Sequence, residues 1–274
     1  MSLPVSSPKS LLPPINASWF GIGVLWLGGV LMLVPLVAVF LISFYNPDPS
    51  ANLFTNYGIA WRTGNFLLAF FNSTVVAIAV TGCQVFTSLL AGYALARLNF
   101  YGKQMVLLLI LATLVIPIQL LVVPIFLILK FGHLINTYGS LILPSAANAY
   151  GIFLLRQYIK TIPIQLEEAA LLDGANRWQI ITQIIFPLTK PAIVTLSLFA
   201  FIGEWNDLFK PLVFTTRPEL MTVQITLASF QELYTADWSL LMSAVVIASL
   251  PVMVIFFLGQ KQLLRGIAST GIKN

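Results

Sequence analysis

Residues 167–191 read EEAALLDGANRWQIITQIIFPLTKP, a polar, patterned stretch between two long apolar runs. It predicts a short helix over residues 163–173, which would be about 16 Å long at about 1.5 Å per residue. The first residue is a proline, which the first turn of a helix tolerates, and Glu167 and Glu168 follow where the helix dipole favours acidic side chains. Gly174 supplies the left-handed conformation that ends many helices.

The predicted helix carries a ridge of small and apolar side chains from Ala169 to Leu172. Such a ridge fits a groove in another protein. A short amphipathic helix that lies on a membrane surface has the same pattern. The local sequence leaves both interpretations open.

The whole chain is too apolar for a protein surrounded by water. Hydrophobic residues make up 58% of its 274 residues and charged residues 8%, where a soluble domain has about 25% charged residues. The 14 Lys and Arg residues, which give a net charge of +5, are scattered singly and form no basic patch for nucleic acid. The single cysteine, Cys83, lies in an apolar run and is expected to be a small core residue. The expected solvent is therefore lipid.

Six apolar runs are long enough to cross a bilayer core of about 30 Å as helices. They predict an all-α membrane protein with six transmembrane helices, at residues 19–44, 67–95, 105–129, 141–158, 192–214 and 238–258. The first run is too long for a typical signal-peptide core and no small-x-small cleavage site follows it, so we expect a retained helix. The Pro- and Ser-rich residues 1–18 are expected to form a disordered tail.

The placement of basic residues predicts the orientation, because cytoplasmic loops carry an excess of Lys and Arg. With the N-terminus inside, ten basic residues fall on the cytoplasmic side and four on the other. The ten are Lys9, Arg97, Lys103, Arg156, Lys160, Arg177, Lys190, Lys261, Arg265 and Lys273, and the four are Arg62, Lys130, Lys210 and Arg217. Both termini are therefore expected in the cytoplasm, together with segment 161–190 and a C-terminal tail over residues 263–274.

The opening stretch resembles the signature of ABC importer permeases: Glu-Ala-Ala, three residues, Gly, nine residues, then Ile-x-Leu-Pro. The matching residues are Glu168, Ala169, Ala170, Gly174, Ile184 and Pro187, and only Phe186 departs from the pattern, where Leu is usual. The resemblance implies a coupling helix that docks in a cleft of an ATPase subunit, followed by a second helix over residues 177–186. It assigns ATPase coupling to Glu167, Glu168, Ala169, Ala170, Asp173, Gly174, Ile184 and Pro187.

From Asn72 onward the chain resembles the smaller permease of the maltose-type carbohydrate uptake family. The supporting stretches are NSTVVAIAV from Asn72, LPSAANAYGIFLLRQY from Leu143, FIGEWNDLFKPLVFTTRPEL from Phe201 and DWSLLMSAVVIASLPV from Asp237. The resemblance implies a type I ABC importer fold with its core over residues 67–262. It also implies a permease subunit for a sugar or oligosaccharide in a bacterial or archaeal-type cell membrane.

The same resemblance implies a set of partners. They are a second permease that forms a heterodimer with this chain, two copies of an ABC ATPase, an extracytoplasmic substrate-binding protein and membrane lipid. ATP and Mg would be held by the ATPases, and no cofactor by this chain. The outer loop 215–236 would reach toward the binding protein and the tail 265–274 toward the ATPases, although a plain connecting loop and a disordered tail remain open.

Polar residues inside the apolar runs are candidates for the translocation path. The candidates are Glu204, Trp205, Asn206, Asp207, Gln84, Gln119, Asn148 and Ser145. An ionised side chain in mid-membrane costs about 2.5–3.5 kcal/mol, which favours a water-filled cavity. There Trp205 would stack on a sugar ring and Asn206 would bond hydroxyl groups. The alternative is helix packing, with Glu204, Asp207 and Lys210 on one helix face and an Asp207–Lys210 ion pair.

Several chemistries find no support in the sequence. No G-x-x-x-x-G-K-[ST] loop occurs, so ATP hydrolysis is expected on another chain. His133 is the only histidine, which removes the usual histidine zinc sites and Ser-His triads, and we expect no enzyme. An importer of glycerol-phosphate or another polar solute, an ATPase-independent secondary transporter or channel, and a scaffold protein remain as alternatives.

Overall fold

The computed structural model describes residues 19–46, 48, 52–233 and 237–271, without the side chains of residues 20 and 261–271. Regular secondary structure in these ranges is entirely helical. The predicted disordered tail at residues 1–18 lies outside the described residues. The last helix continues through Gly271, so the expected tail from residue 263 is, as far as it is described, a continuation of that helix.

The described chain is a succession of α-helices joined by short connections. In chain order they are α1 Trp19–Ser43, α2 Thr55–Thr63, α3 Phe66–Arg97, α4 Lys103–Ala112, α5 Ile118–Phe131, α6 Tyr138–Ile142, α7 Ala149–Thr161, α8 Gln165–Leu172, α9 Arg177–Gln179, α10 Phe186–Leu188, α11 Lys190–Trp205, α12 Phe209–Phe214, α13 Val223–Leu233 and α14 Trp238–Gly271. Short 3-10 turns lie at Thr113–Val115, Leu143–Ser145 and Pro218–Leu220. Residues Ile180–Ile185 are π-helical.

Three of the predicted spans are continuous helices long and apolar enough to cross a membrane. They are Gly21–Ser43, Phe66–Arg97 and Trp238–Gln260. Three bent helix pairs raise the number of candidate spans in the described residues to as many as six.

The predicted third and fourth spans are not single helices. The third run consists of α4 and α5, and its two halves meet at 105° around Pro117. Proline has no N–H group and pushes the preceding residue out of the helical region, and Ile116 is accordingly extended at φ −89°, ψ 113°. The fourth run is broken by 44° before α7, where the side chain of Asn148 accepts hydrogen bonds from the first N–H groups of the new helix.

The predicted fifth span is broken as well. α11 begins at Lys190, two residues earlier than expected, and ends at Trp205. The chain then leaves the helix for residues 206–208 before α12 begins. The preceding segment Arg177–Leu188 meets α11 at 78°.

The first helix is joined to the rest of the chain at its C-terminal end. Ser43 is buried there, and its carbonyl oxygen accepts a hydrogen bond of 2.9 Å from Ser243 Oγ in α14. Asn56 of α2 donates to the carbonyl of Tyr45 at 2.8 Å. Between residues 24 and 41 nearly every side chain of α1 is exposed and apolar. An apolar solvent, or a partner protein, is the environment that suits this surface.

The remaining helices bury two main apolar cores. One core packs residues of α3, α11, α13 and α14 around Phe66, Trp205 and Phe230. The other packs the far end of α3 against α7, the π-helix and α11, around Tyr93 and Leu155. α3 contributes to both cores and is therefore the central element of the fold.

Close packing of α3 on α7 generates a test of this arrangement. A β-carbon added to Gly92 would lie 3.0 Å from the backbone nitrogen of Arg156, whereas one added to Gly82 would meet nothing within 4 Å. We expect Gly92→Val to force the two helices apart and to lower the free energy of unfolding by about 1–3 kcal/mol. Thermal unfolding of the purified protein in detergent measures this, with Gly82→Val as the control in the same helix. Equal midpoints for the two variants would contradict the α3–α7 contact.

Candidate functional site

The predicted short helix in segment 161–190 is present as α8, Gln165–Leu172. It begins two residues later than expected and has eight residues. Gly174 has φ +86°, which confirms the left-handed stop. The N–H of Gly174 donates to the carbonyl of Leu171 at 3.1 Å, and that of Ala175 donates to the carbonyl of Ala170 at 2.9 Å. These two bonds form a Schellman motif, which satisfies the last carbonyl groups of the helix.

One face of α8 is exposed and largely apolar. The side chain of Leu172 is 90% exposed, and Leu166 and Leu171 are exposed by nearly half. Of the residues predicted to couple to an ATPase, Glu168, Ala169, Asp173, Gly174 and Pro187 are exposed, and Ala170 and Ile184 are partly buried. The predicted set therefore lies mainly on a surface that a partner protein can reach.

Glu167 faces the opposite way. Its side chain is 4% exposed and pairs with Arg97 Nε at the end of α3. Tyr93 Oη donates to Glu167 Oε2 at 3.1 Å, and Arg97 also donates through Nη2 to the carbonyl of Ile162. Arg177 Nη1 donates to Tyr93 Oη at 3.4 Å. Glu167 is therefore not part of the exposed surface of α8, and its ion pair holds α8 against α3.

The segment after Gly174 is less regular than the predicted helix over residues 177–186. Asn176 and Gln179 form a capping box, with bonds of 2.9 and 2.8 Å between each side chain and the other's backbone N–H. The chain then widens into the π-helix before the short α10. Pro187 has no N–H group to continue the regular ladder, and π-helical turns are frequent at functional sites.

The polar candidates near the end of α11 are joined by a buried lysine. Lys210, which is 4% exposed, lies 2.6 Å from Glu204 Oε2 and 3.1 Å from Asp207 Oδ2. It also donates to Ser145 Oγ. The Asp207–Lys210 ion pair is thus confirmed, but the single helix face predicted for these residues is wrong, because the helix breaks between Glu204 and Asp207. Asp207 Oδ1 instead accepts from the N–H of Phe209 at 2.9 Å and caps α12.

Trp205 is not available to stack on a sugar ring as was predicted, whereas Asn206 remains a candidate for the path. Trp205 is 1% exposed, and its Nε1 donates to the carbonyl of Ala248 at 3.0 Å. Its ring stacks on Phe201 with centroids 5.8 Å apart, so it is a core residue that no sugar reaches. Asn206 is exposed and accepts a hydrogen bond of 3.3 Å from Gln224.

Three of the predicted path residues line one cavity. Gln84, Asn148 and Glu204 surround a volume of about 120 Å³ together with Tyr150, a residue that the sequence pattern did not single out. Gln84 Nε2 donates to the carbonyl of Ser145 at 2.9 Å. Gln119 is exposed on the first turn of α5 and does not border this cavity. Among the described residues, no group of three or more His, Cys, Asp or Glu side chains is placed to hold a metal ion.

Known proteins share this architecture. Residues 84–269 match the family model described as binding-protein-dependent transport system inner membrane component. The arabinooligosaccharides transport system permease protein AraQ of Bacillus subtilis is 32% identical over 227 residues, which are 82% of this chain and 81% of that protein. The trehalose/maltose transport system permease protein MalG of Thermococcus litoralis is 34% identical over 206 residues, 74% of each chain.

A solved structure shows the same fold. A chain of a bacterial ABC transporter involved in the import of the acidic polysaccharide alginate has a TM-score of 0.76 and 23% identity, and the match covers 92% of this chain and 99% of that chain. The family match covers well over half of the sequence, and the candidate spans agree with a membrane location. The chain belongs to the family of binding-protein-dependent transport system inner membrane components.

Proposed function

We propose that this chain is a permease subunit of an ATP-driven, binding-protein-dependent importer, in which it forms half of the translocation path for a sugar or oligosaccharide. One observation carries the proposal. The signature stretch forms an eight-residue helix that ends before Gly174. The apolar face of this helix is exposed, and Leu172 is its most exposed side chain. An exposed leucine on a short capped helix suits insertion into a groove of another protein.

The proposed topology has six transmembrane helices with both termini in the cytoplasm. Residues 19–44 form the first, residues 67–262 the permease core, and residues 1–18 and 263–274 the cytoplasmic ends. The three continuous spans and the first two bent pairs support five of these crossings, and α11 together with α12 would form the remaining one. The excess of Lys and Arg on one side supports the orientation, which places α8 in the cytoplasm.

In this proposal α8 seats in a cleft of an ABC ATPase. Two such ATPases hold ATP and Mg, one under this chain and one under a second permease, and this chain holds neither. Their closure on ATP displaces both coupling helices and swings the membrane bundle between inward- and outward-facing states. Glu168, Ala169, Asp173 and Gly174 would then contact the ATPase, and the turn at Gly174 would join α8 to the π-helical segment.

The buried network behind α8 supports transmission of this movement into the membrane. Glu167 is paired with Arg97, which is the last residue of α3. Breaking a buried ion pair leaves an uncompensated charge and costs about 3–5 kcal/mol. A displacement of α8 would therefore move α3 rather than open this contact.

The names of the relatives support a saccharide as the substrate. Besides those for arabinooligosaccharides and trehalose/maltose, a similar protein in Streptomyces coelicolor is named a diacetylchitobiose uptake system permease and is 28% identical over 253 residues. Delivery would come from an extracytoplasmic binding protein that docks on the outer surface, to which the predicted loop 215–236 would belong. As far as it is described, this segment is not a plain loop, because it contains α13. The second permease would complete the path.

Uptake by the assembled system tests the proposed function. The chain is produced with its second permease, ATPase and binding protein, and radiolabelled arabinotriose, maltose, trehalose and diacetylchitobiose are supplied to proteoliposomes. We expect accumulation of at least one saccharide that requires ATP inside and the binding protein outside. Uptake driven by an ion gradient without the ATPase would overturn the proposal in favour of a secondary transporter.

Adjacent glutamates on α8 provide a matched pair for the coupling mechanism. Glu167→Gln leaves the buried guanidinium of Arg97 without its counter-charge and is expected to lower the free energy of unfolding by about 3–5 kcal/mol and to speed amide exchange in α8. Glu168→Gln changes an exposed side chain and is expected to shift stability by less than about 0.5 kcal/mol while weakening ATPase binding. Thermal unfolding, hydrogen exchange and copurification with the ATPase measure the three effects. Equal losses of stability in both variants would contradict the different roles of the two residues.

Gly174 offers a separate test of the turn. A β-carbon there meets nothing within 4 Å, so only the positive φ resists substitution. We expect Gly174→Val to leave membrane insertion intact and to uncouple ATP hydrolysis from uptake, whereas Gly174→Asn, which tolerates this conformation, should keep most of the coupling. The ratio of ATP hydrolysed to saccharide imported measures it. Full coupling in Gly174→Val would remove the turn from the mechanism.

A further inference from the structure

The cavity between α3, α7 and α11 contains several polar atoms without a protein partner. Within the described residues, Gln84 Oε1, Asn148 Nδ2, Tyr150 Oη and Glu204 Oε1 make no hydrogen bond, although other atoms of Gln84, Asn148 and Glu204 do. Gln84 is 4% exposed, Asn148 and Glu204 are partly buried, and Tyr150 is exposed. These atoms are therefore available to form hydrogen bonds with a polar molecule that enters the cavity.

The depth of this cavity fits a translocation path. Gln84 lies 13 residues before the end of α3, or about 20 Å at about 1.5 Å per residue, and about 27 Å from the start of that helix. The cavity therefore lies near the middle of the longest apolar span. Its rim is open, because Tyr150 is 40% exposed and Phe199 is 50% exposed.

The lining combines hydrogen-bonding groups with an aromatic face. Gln84 and Glu204 offer acceptor oxygens, and Asn148 offers an amide donor. The ring of Tyr150 is held edge to face against Phe199, with centroids 6.1 Å apart. Alternating donors and acceptors beside an exposed ring suit a polyhydroxylated molecule, whose hydroxyl groups both donate and accept and whose C–H face packs on the ring.

Charge limits which polyhydroxylated molecule fits. Glu204 and Asp207 contribute −2 and Lys210 contributes +1, so the cluster beside the cavity carries −1. The ammonium group of Lys210 is already paired within the protein, because it contacts both carboxylates and Ser145. An anionic group in the cavity would face the free oxygen of Glu204 and be repelled in a medium of low dielectric constant.

We propose that this cavity is a saccharide subsite that admits an uncharged sugar ring and rejects carboxylated or phosphorylated ones. Its volume of about 120 Å³ equals that of about four water molecules, enough for one edge of a ring, with the rest of the substrate held elsewhere in the path. The inference rests on the proposed function and narrows its substrate class. Glu204 sets the charge preference, and the ring of Tyr150 provides the face on which the sugar packs.

A thiol-reactivity assay tests the charge preference without dependence on the binding protein. Gly203 lies on the cavity, is exposed, and has open space around its missing side chain, so Gly203→Cys places a thiol there in a Cys83→Ala background. The detergent-solubilised complete transporter is treated with anionic, cationic and uncharged thiosulfonate reagents of similar size. We expect the cationic reagent to react at least about tenfold faster than the anionic one, and added Glu204→Gln to reduce that ratio by about tenfold.

Two control variants test whether the effect of Glu204→Gln is confined to the cavity. Gly58→Cys, an exposed glycine on α2 with equally open surroundings, should show a reagent ratio that Glu204→Gln does not change. Asp48→Asn removes one exposed negative charge elsewhere and should leave the ratio at the cavity unchanged. Lys210 keeps Asp207 at 3.1 Å in Glu204→Gln, so that variant leaves no unpaired buried charge. If Glu204→Gln leaves the ratio of cationic to anionic reaction rates at Gly203→Cys unchanged, the charge preference is overturned.

Transport tests the aromatic part of the subsite. We expect Tyr150→Ala to raise the concentration of saccharide needed for half-maximal uptake by about tenfold, and Tyr150→Phe to stay within about twofold of the original protein, since it keeps the ring. If Glu204→Gln does not assemble, the cationic-to-anionic rate ratios at Gly203→Cys and Gly58→Cys decide the charge preference, and equal ratios at the two sites overturn it. Equal uptake by the two Tyr150 variants overturns the packing of the sugar on the ring. ATP-dependent uptake of no saccharide by the unaltered transporter would instead defeat the proposed function, while the thiol assay would still report on the cavity.

Discussion

Hydrocarbon offers no hydrogen-bond partner, so polar groups inside a membrane bundle must be paired within the protein. The pairs in this chain join elements that are distant in sequence. Asn72 Nδ2 in α3 donates to the carbonyl groups of Glu219 and Met221, both at 2.8 Å, and Gln84 reaches the carbonyl of Ser145. Each of these bonds starts from α3. The arrangement of the outer segments around this helix therefore depends on satisfying polar groups as much as on apolar packing.

The same constraint explains where the helices break. Irregular backbone at membrane depth is tolerated only where it is buried in protein or lines a cavity, because its N–H and C=O groups need partners. At two of the breaks a side chain supplies them: Asn148 caps α7, and Asp207 caps α12. These caps lie beside the cavity lined by Gln84 and Glu204. The breaks thus bring capping groups and path candidates together in one region.

Local signals were enough to predict α8 and its stop, because a helix start, acidic first-turn residues and Gly174 act within a few residues of one another. Apolar runs predicted the three continuous spans and the rough extent of the bent ones, but the hydropathy of a run does not reveal a bend inside it. The burial of Trp205 and the buried ion pair of Glu167 were not predicted, for a different reason. Their partners, Ala248 and Arg97, lie 43 and 70 positions away, and only the folded structure brings them together.

Continuity of α3 links the two candidate sites. Arg97 at one end is tied to α8, and Gln84 about 20 Å away borders the cavity, with no loop between them. α7 is bound to the same helix through the close approach at Gly92 and through Arg156, which donates to the carbonyl of Leu95 at 3.3 Å. Glu204, by contrast, is carried by α11. In the proposed mechanism a displacement of α8 would therefore reach α3 and α7 directly, and through them two of the three helices that line the cavity.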